Sequence, residues 1–121
     1  VSSSERSLLF DSLRKGLRTQ VGQKNFIANG LIRSLPYETF LRNHFHSMKL
    51  PEELLALPFL ESSFNPEAES KVSALGAWQF MPFTSSFYVP RRTSQYDYRM
   101  NVGIASLAAA FLMFENIRIL K

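Results

Sequence analysis

The stretch that decides the fold is Leu57-Pro58-Phe59-Leu60-Glu61-Ser62-Ser63-Phe64-Asn65-Pro66, an apolar segment that carries one carboxylate and ends at an Asn-Pro pair. With 3.6 residues per helical turn, Leu54, Leu57 and Phe64 share a face with Glu61. An ionisable group on a buried helical stripe is costly unless it is paired or neutral. The pattern therefore predicts either a buried catalytic acid at Glu61 or a structural carboxylate that caps a backbone amide or pairs with an arginine.

A segment rich in small residues follows the Asn-Pro pair. Residues 67–84 are typical of a loop, and Ser70 and Gly76 are two of its small residues. Small residues let a ligand approach the backbone closely. Trp78, Gln79 and Met81 then stand together, and an aromatic ring beside an amide suits a sugar, which has apolar faces and hydroxyl edges. The segment is therefore suited to contact a sugar, and Trp78 either lines such a site or packs in the core.

Two spaced motifs resemble the catalytic domain of the soluble lytic transglycosylases (SLT). The first is Glu-Ser-Ser-Phe-Asn-Pro at residues 61–66, followed by Ala68 and Ser70, and the second is Gly-Ala-Trp-Gln-Phe-Met-Pro-x-Thr at residues 76–84. The likeness extends most fully to the membrane-bound murein transglycosylase D branch, because residues 50–62 read Leu-Pro-x-Glu-Leu-x-x-Leu-Pro-x-x-Glu-Ser as in that branch. Residues 21–34 and the segment from Arg99 to Asn116 are also similar, so the resemblance covers most of the chain.

The resemblance implies a mainly α, lysozyme-like domain that cleaves peptidoglycan without a cofactor or metal. Glu61 would act first as general acid and then as base in non-hydrolytic cleavage of the MurNAc-GlcNAc bond, which leaves a 1,6-anhydro end. The residues expected to bind the glycan are Ser62, Ser70, Gly76, Trp78, Gln79 and Met81.

Two other functions stay open. A hydrolytic lysozyme of the retaining kind would need a second carboxyl group about 5 Å from the first, and Glu67, Glu69 and Asp97 are the candidates nearby in sequence. The other alternative is a non-catalytic domain that binds peptidoglycan or regulates another enzyme.

The chain departs from the family pattern at two places. The third family motif, Ala-Tyr-Asn-x-Gly, would lie beyond Lys121, so we expect the front part of a catalytic domain that a further segment or a partner completes. Ala77 stands where the family more often has a larger apolar residue. We expect one compact unit, with residues 1–49 as a helical lead-in and residues 50–121 as the catalytic core.

Charge and composition agree with an envelope enzyme. The net charge of +4 predicts a negatively charged partner such as the peptide carboxylates of cell-wall glycan, and its spread along the chain argues against nucleic acid. The absence of cysteine excludes disulfides. The N-terminus lacks the basic and apolar segments of a signal peptide, as expected of a mature periplasmic protein in a Gram-negative cell.

Local signals predict helices at residues 4–15, ended by Gly16, and at 20–33, 36–48, 82–88 and 101–120, with few strands. A further helix would begin at Pro51, bend at Pro58 and carry Glu61. The apolar run at residues 102–114 is shorter than the roughly 20 residues of a membrane span, so we expect a core helix there. His44 and His46 would point about 200° apart, which is poor geometry for one metal ion.

Overall fold

The computed structural model describes residues 3–20 and 24–120, with the side chains of residues 3–12 and 25–120. Six α-helices lie in this part of the chain: α1 Ser3–Gln20, α2 Lys24–Ser34, α3 Glu38–Ser47, α4 Leu57–Ser62, α5 Pro82–Tyr88 and α6 Val102–Leu120. Short 3-10 turns occupy Leu35–Tyr37, Glu52–Ala56 and Tyr98–Met100. Within the described ranges, β pairing is limited to the isolated bridges Glu69 to Leu75 and Leu75 to Phe80. The predicted mainly α class is confirmed.

The helices before the first motif begin and end at other residues than predicted. α1 continues through Gly16 to Gln20, because one interior glycine costs only about 1 kcal/mol and does not by itself end a helix. α2 begins at Lys24, and the predicted weak point at Gly22 lies outside the described residues. Pro36 opens a 3-10 turn, and α3 follows it from Glu38.

The prediction of one helix that begins at Pro51 and carries Glu61 is wrong. A 3-10 turn covers Glu52–Ala56, and a new helix, α4, begins at Leu57 with Pro58 in its first turn. Proline has no N–H to donate and clashes with the preceding turn, so it fits a helix start far better than a helix interior. The two segments therefore follow different helical phases.

The end of α4 is held by α2 as well as by its own backbone. Ser63 and Phe64 both adopt left-handed φ values of 53° and 58°, and their amides donate to carbonyls inside α4. Arg33 donates a hydrogen bond to the Ser63 carbonyl at 3.1 Å, and the Ser63 hydroxyl donates to the Phe26 carbonyl. A methyl group at Gly30 would lie 2.7 Å from Ser63 Oγ, so α2 packs against this turn without room for a side chain.

The first half of α6 passes through the core. Ala105, Ser106 and Ala110 have no exposed surface. Small side chains on a helix let neighbouring elements approach closely. The large core residues come from α3, from the segments on either side of α4 and from the loop that follows: Leu41, Phe45, Leu50, Leu54, Phe64, Trp78 and Phe80. α6 thus supplies one side of the core, and α3 and α5 pack against it.

α6 is also the one helix of the described chain that is long and apolar enough, by length and composition, to cross a membrane. The prediction that residues 102–114 are too short to span a membrane does not apply to the whole helix, because α6 continues to Leu120 and has 19 residues. A buried core helix passes the same test, and the predicted core role fits the first half. Phe111, Phe114 and Ile119 in the second half are exposed.

Candidate active site

Glu61 lies in the last turn of α4, with its side chain exposed. The predicted burial of this residue is wrong. The prediction extended one helical phase from Leu54 through Glu61, whereas the helix restarts at Leu57. Leu54 and Phe64 are buried on the core side, and Glu61 faces outward. Among the arginine side chains that the structure describes, in residues 3–12 and 25–120, none pairs with its carboxylate.

Glu61 borders a concavity of about 210 Å³ between α4, the second motif and α6. This volume lies below the roughly 300–1,000 Å³ of pockets that enclose a drug-sized ligand, so the site is a short open groove. The groove is mostly apolar and is lined by Leu57, Glu61, Trp78, Gln79, Phe80, Met81, Thr84, Ala109, Leu112 and Met113. We call it the Glu61 groove.

Met81 and Thr84 reach the groove because Pro82 opens α5 immediately after the second motif. Residues three apart on a helix lie on the same face, which places both side chains on the groove side. The Tyr88 hydroxyl donates to the Glu115 carboxylate at 3.1 Å and fixes the far end of α5 on α6. The side chain of Met81 is 41% exposed, so it can contact a ligand in the groove.

Trp78 lines the groove but belongs mainly to the core. It is only 8% exposed, its ring stacks on Phe45 with centroids 5.9 Å apart, and its Nε1 donates to Ser106 Oγ at 2.8 Å. Trp78 therefore lines the groove, as the resemblance implies, while most of its surface packs in the core. The indole N–H is the one polar group of a tryptophan side chain, and the hydrogen bond to Ser106 satisfies it in the core.

Gln79 holds its loop and also faces the groove. It adopts a left-handed φ of 52°, and its Nε2 donates to the carbonyls of Ala68 and Gly76 at 2.9 Å and 2.8 Å. The amide nitrogen is therefore used within the protein, and the carbonyl oxygen of the side chain is the group left for a ligand.

Ser62, Ser70 and Gly76 do not line the groove. The Ser62 hydroxyl donates to the Ala77 carbonyl at 2.8 Å, and Ser70 Oγ accepts from the Ala74 amide at 3.0 Å. Gly76 has a φ of 87°, and a Cβ there would lie 2.0 Å from the Arg99 carbonyl oxygen. These three residues shape the loop that presents Gln79 and Met81. The sequence motif alone does not distinguish this structural role from contact with a ligand.

The Asp97–Arg99 ion pair is a structural part of the site that the sequence reasoning missed. Arg99 Nη2 donates to Asp97 Oδ2 at 2.9 Å, and both side chains are buried. Arg99 Nη1 also donates to the carbonyls of Ser73 and Phe80, each at 2.8 Å, and so ties together two distant points of the loop. The hydrogen bonds from Arg99 hold the pKa of Asp97 below its ordinary value. The available signal was the charge pattern Asp-x-Arg, which ends three residues before α6 begins at Val102.

Glu61 is the one carboxylate among the residues that line the groove. Asp97 is bound to Arg99, and Glu67 and Glu69 are exposed and line no part of the groove. Among the described side chains Glu61 is thus the one acid that lines the groove, whereas a retaining hydrolase would need a second carboxyl group about 5 Å away. They also contain no cluster of three or more histidine, cysteine or acidic side chains that could hold a metal ion.

Comparison with known proteins assigns the family. The sequence model of the transglycosylase SLT domain matches residues 39–121. Membrane-bound lytic murein transglycosylase D of Escherichia coli, in strain K12 and in strain O6:H1, is 32% identical over 107 residues, which are 88% of this chain and 24% of that protein. A protein of Alteromonas sp. (strain M-1), whose name refers to tributyltin chloride resistance, is 32% identical over 81 residues, 67% of this chain and 39% of that protein.

The chain spans about a quarter of the length of the transglycosylase D relatives that it matches. The match of the family model covers both motifs and the whole Glu61 groove. The chain therefore belongs to the transglycosylase SLT domain family.

Proposed function

We propose that the Glu61 groove cleaves the glycan strands of peptidoglycan by lytic transglycosylation, in the periplasm of a bacterial cell. The observation that carries the proposal is the single carboxylate at the edge of a short apolar groove, in a chain of the SLT family. The curated relatives named lytic murein transglycosylase D support the choice of substrate. The net charge of +4 suits a substrate whose peptides carry carboxylates.

In the proposed reaction Glu61 serves as acid and then as base. The protonated carboxyl group gives its proton to the oxygen that links N-acetylmuramic acid to N-acetylglucosamine, and the bond from C1 to that oxygen breaks. The Glu61 carboxylate then takes the proton of the 6-hydroxyl of the muramic ring, whose oxygen bonds to C1. The product carries a 1,6-anhydro ring, no water is consumed and Glu61 ends protonated.

A bound glycan supplies the desolvation that the groove alone does not. The free Glu61 side chain is exposed, and a sugar ring laid on Leu57, Met81 and Met113 would exclude water from its carboxyl group. Gln79 accepts a hydrogen bond from a sugar hydroxyl through the oxygen that the loop leaves free. Trp78, which lines the groove, adds aromatic surface for the ring to contact.

The test is mass spectrometry of the products released from purified sacculi by the chain and by its Glu61→Gln variant. The variant keeps the size of the side chain, and we expect its rate to fall by at least about a hundredfold, because general acid–base groups contribute about 10²–10⁴-fold. Glu67→Gln is the matched control, since Glu67 is an exposed carboxylate outside the groove. Circular dichroism checks that both variants are folded.

Three results would reject the proposal in different ways. Anhydro ends from Glu61→Gln at the parent rate would remove Glu61 from the mechanism. Reducing ends would assign a hydrolase. The third result is a parent chain that sediments with sacculi but releases no product, which would assign a domain that binds peptidoglycan without cleaving it. The exposure of Glu61 favours this alternative.

A further inference from the structure

A second and larger concavity opens on the other side of α5. Its volume is about 490 Å³, and it is bounded by Ser85 and Ser86 of α5, by the Arg91-Arg92 pair and by the buried Arg99. Thr84 lines the Glu61 groove whereas Ser85 lines this concavity, since successive residues of a helix are rotated by about 100°. We call this second site the basic concavity.

The charge of the basic concavity is positive. Arg91 and Arg92 are exposed, and among the described residues neither guanidinium has a carboxylate within ion-pair distance. The charge of Arg99 is neutralised by Asp97. Glu69, an exposed acid, also lines the concavity, and Arg92 acts electrostatically on Asp97, so three arginines face two carboxylates and a net positive charge remains.

The arginine pair projects from an ordered base. Val89, two residues before Arg91, is buried in the core. On the other side, Thr93 Oγ1 accepts from the Tyr96 amide at 3.0 Å and closes a turn. The backbone that carries Arg91 and Arg92 is thus held at both ends, which reduces the entropy lost when the pair binds an anion.

We infer that the basic concavity binds the carboxylates of the peptide stems that peptidoglycan carries on its muramic residues. The inference rests on the proposed function of the Glu61 groove. A helix with its side chains is about 10 Å wide, and an extended peptide spans about 3.3 Å per residue. The path around half of such a helix is about 16 Å, so a stem of five extended residues on a muramic ring beside Glu61 is long enough to pass around α5 toward Arg91 and Arg92. The planar guanidinium binds a carboxylate through two parallel hydrogen bonds, which suits this ligand.

The first test measures binding and does not depend on catalysis. A synthetic stem tripeptide with free carboxylates is titrated into the ¹⁵N-labelled chain and into its Arg91→Gln/Arg92→Gln variant. We expect amide shifts confined to residues 85–92, an affinity that falls by about three- to tenfold in the variant, and weakening with added salt. Arg118→Gln is the control, because it removes an exposed cation at the far end of α6 and leaves the basic concavity intact.

Two ligands distinguish the peptide from other anions. The same tripeptide with its carboxylates converted to amides should bind at least about threefold more weakly, and equal binding would overturn the charge argument. Arginine also binds phosphate through two hydrogen bonds, so inorganic phosphate should compete only at a higher concentration than the tripeptide, because it makes none of the contacts of the peptide chain. If phosphate displaces the tripeptide from residues 85–92 at equal concentration, the basic concavity is a general anion site and the peptide assignment is wrong.

The second test measures cleavage. The rates of the chain and of the double arginine variant are compared on intact sacculi and on glycan strands freed of peptide by an amidase. We expect the ratio of the two rates, intact over peptide-free, to fall by about three- to tenfold in the variant. An unchanged ratio would overturn the inference. A chain that cleaves neither substrate would contradict the proposed function alone, and the peptide titration would then decide the inference by itself.

Discussion

Asp97 and Arg99 illustrate how a single ion pair can organise a long loop. Arg99 reaches two backbone carbonyls that are seven residues apart in the loop, at Ser73 and Phe80, while Asp97 neutralises its charge. Arginine suits this position because its planar group donates in several fixed directions at once. The groove that contains Gln79 and Met81 thus depends on a pair that does not line it.

The pair also predicts how stability depends on pH. The pKa of Asp97 is lowered in the folded protein, chiefly by the hydrogen bonds from Arg99, so its contribution is fully present above the ordinary value of 3.8. The contribution is lost as the pH falls below 3.8 and through the folded-state pKa. We expect the free energy of unfolding, measured with urea between pH 7 and pH 2, to fall less steeply in Asp97→Asn than in the parent chain.

At neutral pH the same variant should lose about 3–5 kcal/mol, because it leaves the buried Arg99 without its counter-charge. Asp11→Asn is the control, since Asp11 is an exposed carboxylate of α1. A parallel pH profile for Asp97→Asn and the parent would show that the pair does not act as described.

The chemical types of the groove residues could be predicted from the sequence better than their orientations. Gln79 and Met81 line the groove as expected. Glu61 is exposed because the helical phase counted from Leu54 is interrupted at Leu57, where the 3-10 turn gives way to α4. Trp78 is largely buried, with its polar atom bound to Ser106. This contact could not be predicted from a local pattern, because Ser106 lies 28 residues further along the chain.

Among the helices, those that begin at clear local signals were predicted well. α5 has the predicted bounds, since Pro82 opens it, and α6 begins one residue after Asn101, whose side chain accepts from the Ile104 amide at 2.9 Å. Errors arose where one signal allows two structures. Pro36 and Pro58 are each compatible with a 3-10 turn or with the first turn of an α-helix, and packing against the core decides between them.

The contact between α2 and the end of α4 gives a prediction at this scale. Gly30→Ala should destabilise the domain by about 1–3 kcal/mol, because its Cβ would lie 2.7 Å from Ser63 Oγ and 3.1 Å from the Ser63 carbonyl oxygen. The strained turn at Ser63 would have to move, and Glu61, two residues earlier, would move with it. We therefore expect a lower melting temperature and a lower cleavage rate, measured by calorimetry and by product release.

Gly103→Ala provides a matched control for this substitution. Gly103 lies in the first turn of α6, and a Cβ there would meet only Asn101 Oδ1, at 3.4 Å. Since alanine favours helix over glycine by up to about 1 kcal/mol, this variant should be as stable as the parent or more so. Equal melting temperatures for the two variants would mean that α2 does not support the α4 turn.

For the whole molecule, the contacts of Trp78 decide whether the lead-in and the catalytic core form one unit. The indole ring stacks on Phe45 of α3, which belongs to the lead-in, and donates to Ser106 of α6, which belongs to the core. Two regions that share buried side chains in this way unfold together. We expect one transition in urea, with the same midpoint for tryptophan fluorescence and for far-ultraviolet circular dichroism.

Ser106→Ala tests this cooperativity most directly. The substitution leaves the buried Nε1 of Trp78 without an acceptor, and an unsatisfied buried polar group costs about 1–3 kcal/mol. If the domain is one unit, both the fluorescence and the circular dichroism midpoints fall together, although only the fluorescence probe lies at the altered site. Ser86→Ala, an exposed hydroxyl that donates to the nearby Phe83 carbonyl, should change stability by less than about 0.5 kcal/mol. A shift of the fluorescence midpoint alone would show that the α6 region unfolds separately from the lead-in, and residues 1–49 would then be a separate folding unit.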